Sequence, residues 1–146
     1  MASQVCIDAS LVVQWLVPEQ HSEQSLMLLE DWTESQTEMV APTLLLFEVV
    51  AILRFLVVQK VVSEEIGSES VARLTRLPIR YTSRIAIFPL AWSLAQEFRL
   101  PTIYDSAYLA LARLLKSDFW TADRKFYKAV KAHAPEVRWI GEYQRA

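Results

Sequence analysis

The sequence predicts an α/β fold with a largely parallel sheet. Three observations predict it. Short strand-like runs alternate with longer stretches of helical period, the order expected of successive crossover units. Apolar residues make up 53% of the chain, which suits elements covered on several sides and excludes a disordered polymer. No internal repeat, low-complexity tract or linker interrupts the pattern, so residues 1–146 read as one domain, large enough to bury a core without disulfides or a structural metal.

Taken in order, "QVCID" is a short apolar strand, and "SLVVQWL" after it is a first helix ended near Pro18. In "HSEQSLMLLEDWTES", Leu26, Met27 and Leu29 fall on a helical period with acids facing outward. "EMVAP" is a second strand closed by proline. "TLLLFEVVAILRFLVVQK" is long enough for a helix, with Thr43 as its candidate N-cap. "SEEIGSESVARLTRL" is a further helix, in which Ser63 and Ser68 compete as caps around Gly67. "IRYTS" is the third strand, with "RIAIF" as a competitor. "PLAWSLAQEF" is helical, with Pro89 tolerated in the first turn. A helix from about Ile103 to Lys116, the strand "DFWTA", the helix "RKFYKAVKA" and the strand "VRWI" complete the chain.

Several classes are excluded. The apolar runs "LLLF" and "VVAIL" are stopped by Glu48 and Arg54, too soon for a membrane span. The start "MASQVCIDAS" has neither the basic nor the apolar region of a secretory signal, and the lone Cys6 cannot close an internal disulfide; a cytoplasmic location is the expectation. Neither glycine belongs to a phosphate-cradling loop, which argues against a dinucleotide or nucleoside-triphosphate site. The net charge of −2 decides little about nucleic acid. With four of the seventeen acids gathered at one site, the acids left over would be outnumbered by the fifteen basic residues.

In open α/β sheets, ligands bind beyond the carboxyl ends of the strands. Asp8 ends the first strand, Asp123 follows "DFWT", and Asp105 opens the helix after "RLPT". Each also fits a structural role: Asp8 and Asp123 as N-caps, Asp105 in an arrangement with Thr102 close to a capping box. Glu48 has no such role. Its helical neighbours Leu44, Leu45, Ala51 and Ile52 are apolar, and no Lys or Arg stands three or four residues away. A carboxylate there needs compensation from a distant arginine, from hydrogen bonds or from a metal ion. If the four converge, their repulsion is relieved most simply by a divalent cation, and an all-oxygen set selects Mg²⁺ or Mn²⁺. Cys6 shares the face of Asp8 by strand alternation, and a small buried hydrophobe is its plain reading.

The segments "VCIDASLVVQWLVPE", "APTLLLFEVVAILRF", "IYDSAYLALARLL" and "FWTADRKF" resemble, in order and spacing, the four acidic motifs of the PIN domain. The similarity is greatest to VapC-type toxins of toxin–antitoxin pairs and runs from Val5 to about Ile140. It implies a three-layer α/β/α sandwich around a central sheet of about five strands. It also implies that Asp8, Glu48, Asp105 and Asp123 are acidic ligands and catalytic residues, with Ser10 and Thr121 as supporting hydroxyls; for each hydroxyl a plain cap role stays open. Two departures stand out: Ala51 where members often carry Asn, and no glycine in "RLPTIY" before Asp105.

The activity implied is a metal-dependent endoribonuclease that cleaves RNA with metal-activated water and leaves a 5′-phosphate and a 3′-hydroxyl. The partners implied are a homodimer mate and a cognate antitoxin whose C-terminal segment blocks the acidic pocket. An apolar face left over on the Glu48 helix would suit such a partner; complete burial of that helix is the alternative. RNA needs basic residues beside the acids. Arg124, Lys125 and Lys128, with Lys131, follow Asp123, and Arg73, Arg76, Arg80 and Arg84 form a second run; a solvated helix face is the alternative for both. His21 and His133 are read as surface residues. The rival readings are a non-catalytic PIN-like RNA- or protein-binding module, and a phosphatase on another α/β fold, for which the needed second Asp at position 10 is absent.

Overall fold

The computed structural model describes residues 3–145. Five strands form one parallel sheet: β1 (Gln4–Ile7), β2 (Glu38–Pro42), β3 (Ile79–Thr82), β4 (Phe119–Thr121) and β5 (Val137–Trp139), in the order β3-β2-β1-β4-β5. The helices are α1 (Ala9–Leu16), α2 (Ser22–Ser35), α3 (Leu44–Val58), α4 (Glu64–Leu74), α5 (Ile87–Glu97), α6 (Tyr104–Leu115) and α7 (Arg124–Val130), followed by a short 3₁₀ turn at Ile140–Glu142. With right-handed crossovers, this strand order places α1 to α4 on one face and α5, α6 and α7 on the other, which makes a three-layer α/β/α sandwich. The contacts agree: α1 to α4 pack on one another, while α5 packs on α6 and α6 lies over β1, β2 and β4.

The pattern of side chains explains why the sheet sits in the middle. β1 is buried from Val5 to Ile7, and β2 from Met39 to Pro42, so these central strands read as continuous apolar runs rather than alternating ones. On β4, neighbouring rings point to opposite faces. Phe119 stacks on Tyr108 of α6 and touches Phe126 of α7, while Trp120 meets Trp32 of α2 edge-on. Helix α6 is buried from Ser106 to Ala112, the deepest of the helices. Its alanines let its neighbours approach closely, and Leu109 and Leu111 are fully buried between α5 and the sheet strands that flank the helix.

Some expectations change. Ser63 caps α4 by accepting from the Ile66 amide at 3.1 Å, and Ser68 lies inside the helix. Thr43 does not cap α3; its backbone is already helical and its hydroxyl is 2.8 Å from the Ser83 hydroxyl. "IRYTS" contains the strand, and "RIAIF" leads instead into α5, which starts at Ile87, so Pro89 is its third residue. Arg73 belongs to the fold: its guanidinium donates to the Trp15 and Leu16 carbonyls at the end of α1, at 3.1 and 3.3 Å.

Leu109→Ala should therefore lower the free energy of unfolding by about 2–5 kcal/mol, read from denaturant midpoints, because the fully buried site is closed in by both sheet and helices.

Candidate active site

The sheet order reverses direction between β1 and β4, so their carboxyl ends frame the crevice where an open α/β sheet binds its ligand. Asp8 stands at that crevice directly after β1, 4% exposed. It caps α1, its Oδ1 accepting from the Leu11 amide at 3.0 Å and from the Ser10 hydroxyl at 2.7 Å. Its Oδ2 accepts from the Thr121 hydroxyl at the end of β4, at 2.5 Å. Both hydroxyls also serve the opposite strand end. Ser10 Oγ accepts from the Ala122 amide, and Thr121 Oγ1 from the Asp123 amide, each at 3.0 Å. A hydroxyl has one proton, and both are given to Asp8, so the 3.2 Å approach of Ser10 and Thr121 is a contact between two acceptors rather than a bond. Asp123 in turn caps α7 through the Phe126 amide at 3.0 Å.

Asp8 and Asp123 thus are N-caps and also face the crevice; the two readings do not compete. Ser10 and Thr121 are not caps but cross-braces between the two strand ends. Asp105 is the second residue of α6, half-buried, and no capping box forms with Thr102; Ile103 occupies the cap position without a side-chain bond. Glu48 projects from α3 as a half-buried side chain. Its partner is not an arginine but the hydroxyl of Tyr108, which donates to Oε1 at 2.5 Å.

Tyr108 escaped the sequence reading. It sits among apolar residues of α6, where an aromatic ring reads as core, and indeed it is 1% exposed. The available signal was its place one turn after Asp105, which puts both on one side of the helix. Burial foremost, and then the bond to Glu48, push the Tyr108 phenol far above the ordinary tyrosine range, so it stays a donor at all working pH values.

The electrostatics centre on Asp105. Burial, then the charges of Asp123 and Glu48, raise its carboxyl to about 6. Burial raises Asp8 to about 7, against the Thr121, Ser10 and Leu11 bonds that favour its anion, with Asp105 adding to the rise. Seven ion pairs occur among the described residues, and none involves Asp8, Glu48, Asp105 or Asp123. Four carboxylates without a basic partner, all offering oxygen, suit a hard divalent cation. Their spare acceptors are consistent with that: both oxygens of Asp105, Oδ2 of Asp123 and Oε2 of Glu48 receive no side-chain or backbone donor among the described residues. No three His, Cys, Asp or Glu side chains among the described residues form a preformed metal cluster.

Arg124, Lys125 and Lys128 are exposed on α7, next to Asp123. The second basic run divides. Arg73 holds α1, and Arg80 pairs with Glu38 and reaches Gln4 at the amino end of the sheet, away from the acids. Arg76 and Arg84 are exposed. His133 is exposed, whereas His21 is half-buried with its ring edge-on to Trp139. Cys6 is fully buried 3.3 Å from the Ser117 hydroxyl, with its thiol pushed up to about 11 by burial, an inert group.

A carboxyl raised by folding binds its proton more tightly in the native state than in the unfolded one. Its contribution to stability is therefore complete below about pH 4 and is lost as pH climbs through the native value. Metal-free Asp105→Asn should melt higher than the parent at pH 8, and the gap should narrow below about pH 6 and close near pH 4, as followed by thermal circular dichroism.

The PIN domain family model matches residues 5–132. No curated protein matches the sequence. Among solved structures, the chain is similar to PAE2754 from Pyrobaculum aerophilum, with a TM-score of 0.67 and 17% identity over 97% of this chain and 93% of that one. It is similar to a toxin–antitoxin complex from Klebsiella pneumoniae, with a TM-score of 0.64 and 18% identity over 97% and 99%. It is also similar to VapC20 of Mycobacterium tuberculosis, described as a sarcin–ricin loop cleaving toxin, with a TM-score of 0.65 and 15% identity over 92% and 98%. Matched over most of its length, and with the parallel sheet and strand-end acids described above, the chain belongs to the PIN domain family.

Proposed function

We propose that the protein is a metal-dependent endoribonuclease, the toxin of a toxin–antitoxin pair, with RNA as its substrate. The observation that carries this reading is the set of four carboxylates without basic counter-ions at the switch point of the sheet. Its fold likeness to VapC20 and to the Klebsiella toxin–antitoxin complex supports the same direction.

Asp8, Glu48, Asp105 and Asp123 would hold Mg²⁺ or Mn²⁺, which when bound neutralises charge on the scissile phosphate and makes water a better nucleophile. The chain's own contributions follow from the geometry. Asp8 is fixed by three donors, so it presents one remaining lone pair in a defined direction. Tyr108 fixes Glu48 through Oε1 and leaves Oε2 to accept a proton from the attacking water. Asp105 keeps both oxygens for the ligand. Arg124, Lys125 and Lys128 would meet the phosphates that flank the cut, and in-line attack by water would leave a 5′-phosphate and a 3′-hydroxyl. Ala51 is exposed, so an Asn there would also stand at the surface; its absence removes a hydrogen bond near Glu48 rather than a ligand.

Protein partners are part of the proposal. Phe47, Phe55 and Val58 on α3, and Phe88 and Trp92 on α5, are exposed, more apolar surface than a solitary domain needs. These faces would serve a homodimer mate and an antitoxin. No helix among the described residues is long and apolar enough to cross a membrane, and a cytoplasmic setting is part of the same reading.

On a panel of structured RNAs, the protein should cut with Mg²⁺ or Mn²⁺ and stop with EDTA. Asp8→Asn, Glu48→Gln and Asp105→Asn should each cut at least about 100-fold more slowly. Calorimetry should show Mn²⁺ heat in the parent and its loss in Asp105→Asn, with an unchanged far-ultraviolet spectrum. A folded protein that binds Mn²⁺ and RNA without cutting any RNA would instead be a binding module, and hydrolysis of a small phosphate ester but not RNA would make it a phosphatase.

A further inference from the structure

We propose that the groove along the outer edge of the sheet, between α7 and β5, is a stacking track for single-stranded RNA leading away from the acidic site. This inference rests on the ribonuclease reading above. Four side chains form a ladder at this edge, three lining the groove and Arg124 beside it. The Arg124 guanidinium lies 5.3 Å from the centre of the Trp139 ring. Trp139 and Tyr127 stack with centroids 6.1 Å apart and planes 23° from parallel. The Lys131 ammonium lies 5.8 Å from the centre of the Tyr127 ring. The order is cation, ring, ring, cation, and its first member follows Asp123 directly in the chain.

The groove has a volume of about 490 Å³, and Trp120, Tyr127, Lys131, Pro135, Arg138 and Trp139 line most of it. That is within the range of sites that hold molecules of nucleotide size. From Arg124 to Lys131 the helix rises by about 10 Å. At about 3.4 Å per nucleotide of a stacked strand, the ladder has the length of two or three bases. The charges suit a polyanion. Lys131 pairs with no carboxylate among the described residues, and the carboxylate in the groove, Glu142, is engaged by the Tyr127 hydroxyl at 3.1 Å.

Arg124 and Lys131 are exposed, and Tyr127 and Trp139 are half-buried. The cations can therefore swing from ring to phosphate while a base takes their place on the ring, the combination by which sequence-tolerant single-strand sites work. A peptide fits the same groove less well. The exposed edge strand β5 has three residues, too few for an added strand to gain much by main-chain pairing.

The test uses the full chain carrying Asp105→Asn, so that RNA is bound and not cut, with a fluorescein-labelled eight-residue oligouridylate read by anisotropy. Lys131→Glu and Tyr127→Leu are introduced separately; the first alters an exposed residue and the second keeps an apolar contact with Trp139. Each should weaken binding about tenfold, and Lys131→Glu should also lower the slope of log affinity against log salt by about one. Unchanged affinity in both variants would overturn the track, as would a parent that cuts structured RNA yet does not bind oligouridylate. In either case the nuclease reading stands, because it is judged by metal-dependent cleavage alone. Loss of a protein partner in these variants with RNA affinity unchanged would assign the groove to that partner and equally overturn the track.

Discussion

The site depends on a buried carboxylate that joins two strand ends. Asp8 lies at the one place in the sheet where neighbouring strands are far apart in sequence, and removing its charge from water is costly unless donors replace the lost hydration. They do so from both sides: the Leu11 amide and Ser10 from its own turn, and Thr121 from β4. The same hydroxyls receive the amides of Ala122 and Asp123, so the β1–α1 and β4–α7 turns are parts of one hydrogen-bonded unit. The start of α7, and with it the position of Asp123 and the basic residues that follow, is set by a residue more than a hundred positions earlier in the chain.

The other two acids arrive from opposite layers. α3 and α6 lie on different faces of the sheet and meet past the carboxyl ends of the strands, where Tyr108 of one donates to Glu48 of the other. Stacking on Phe119 holds the phenol in place. No basic side chain among the described residues pairs with these acids. The site is held together by neutral donors and pulled apart by like charges, a tension that a bound proton or, on the proposed reading, a bound cation would relieve.

Much of this was legible in the sequence because it is local. Each strand is a short apolar run, each of the three aspartates follows a strand or opens a helix, and Glu48 stood out by its apolar neighbours. What could not be read depends on distant pairings. That β1 pairs with both β2 and β4 follows from no local pattern, and neither does the choice of Ser10 and Thr121 as cross-braces over caps. Thr43 and Thr102 have the residue type of caps, yet one bonds to Ser83 and the other is exposed, since propensity yields to the geometry of the preceding strand or loop. Arg73 and Arg80 looked like part of a basic surface because their partners, the end of α1 and the start of β2, lie far away in sequence. Tyr108 was hidden by the very burial that makes it effective.

The four acids differ in what else they do. Asp8 and Asp123 start helices, and Glu48 is tied to the core through Tyr108, whereas the Asp105 side chain supports no hydrogen bond among the described residues. Substitutions at these positions therefore have unequal structural consequences. On the proposed reading, a descendant that no longer needed the reaction could change Asp105 and even fold more firmly, while changes at Asp8 would loosen the joint between two strands. Among relatives that have turned from catalysis to another use, the record of that turn should be written first at the position of Asp105, and the scaffold acids should persist long after their chemistry has gone.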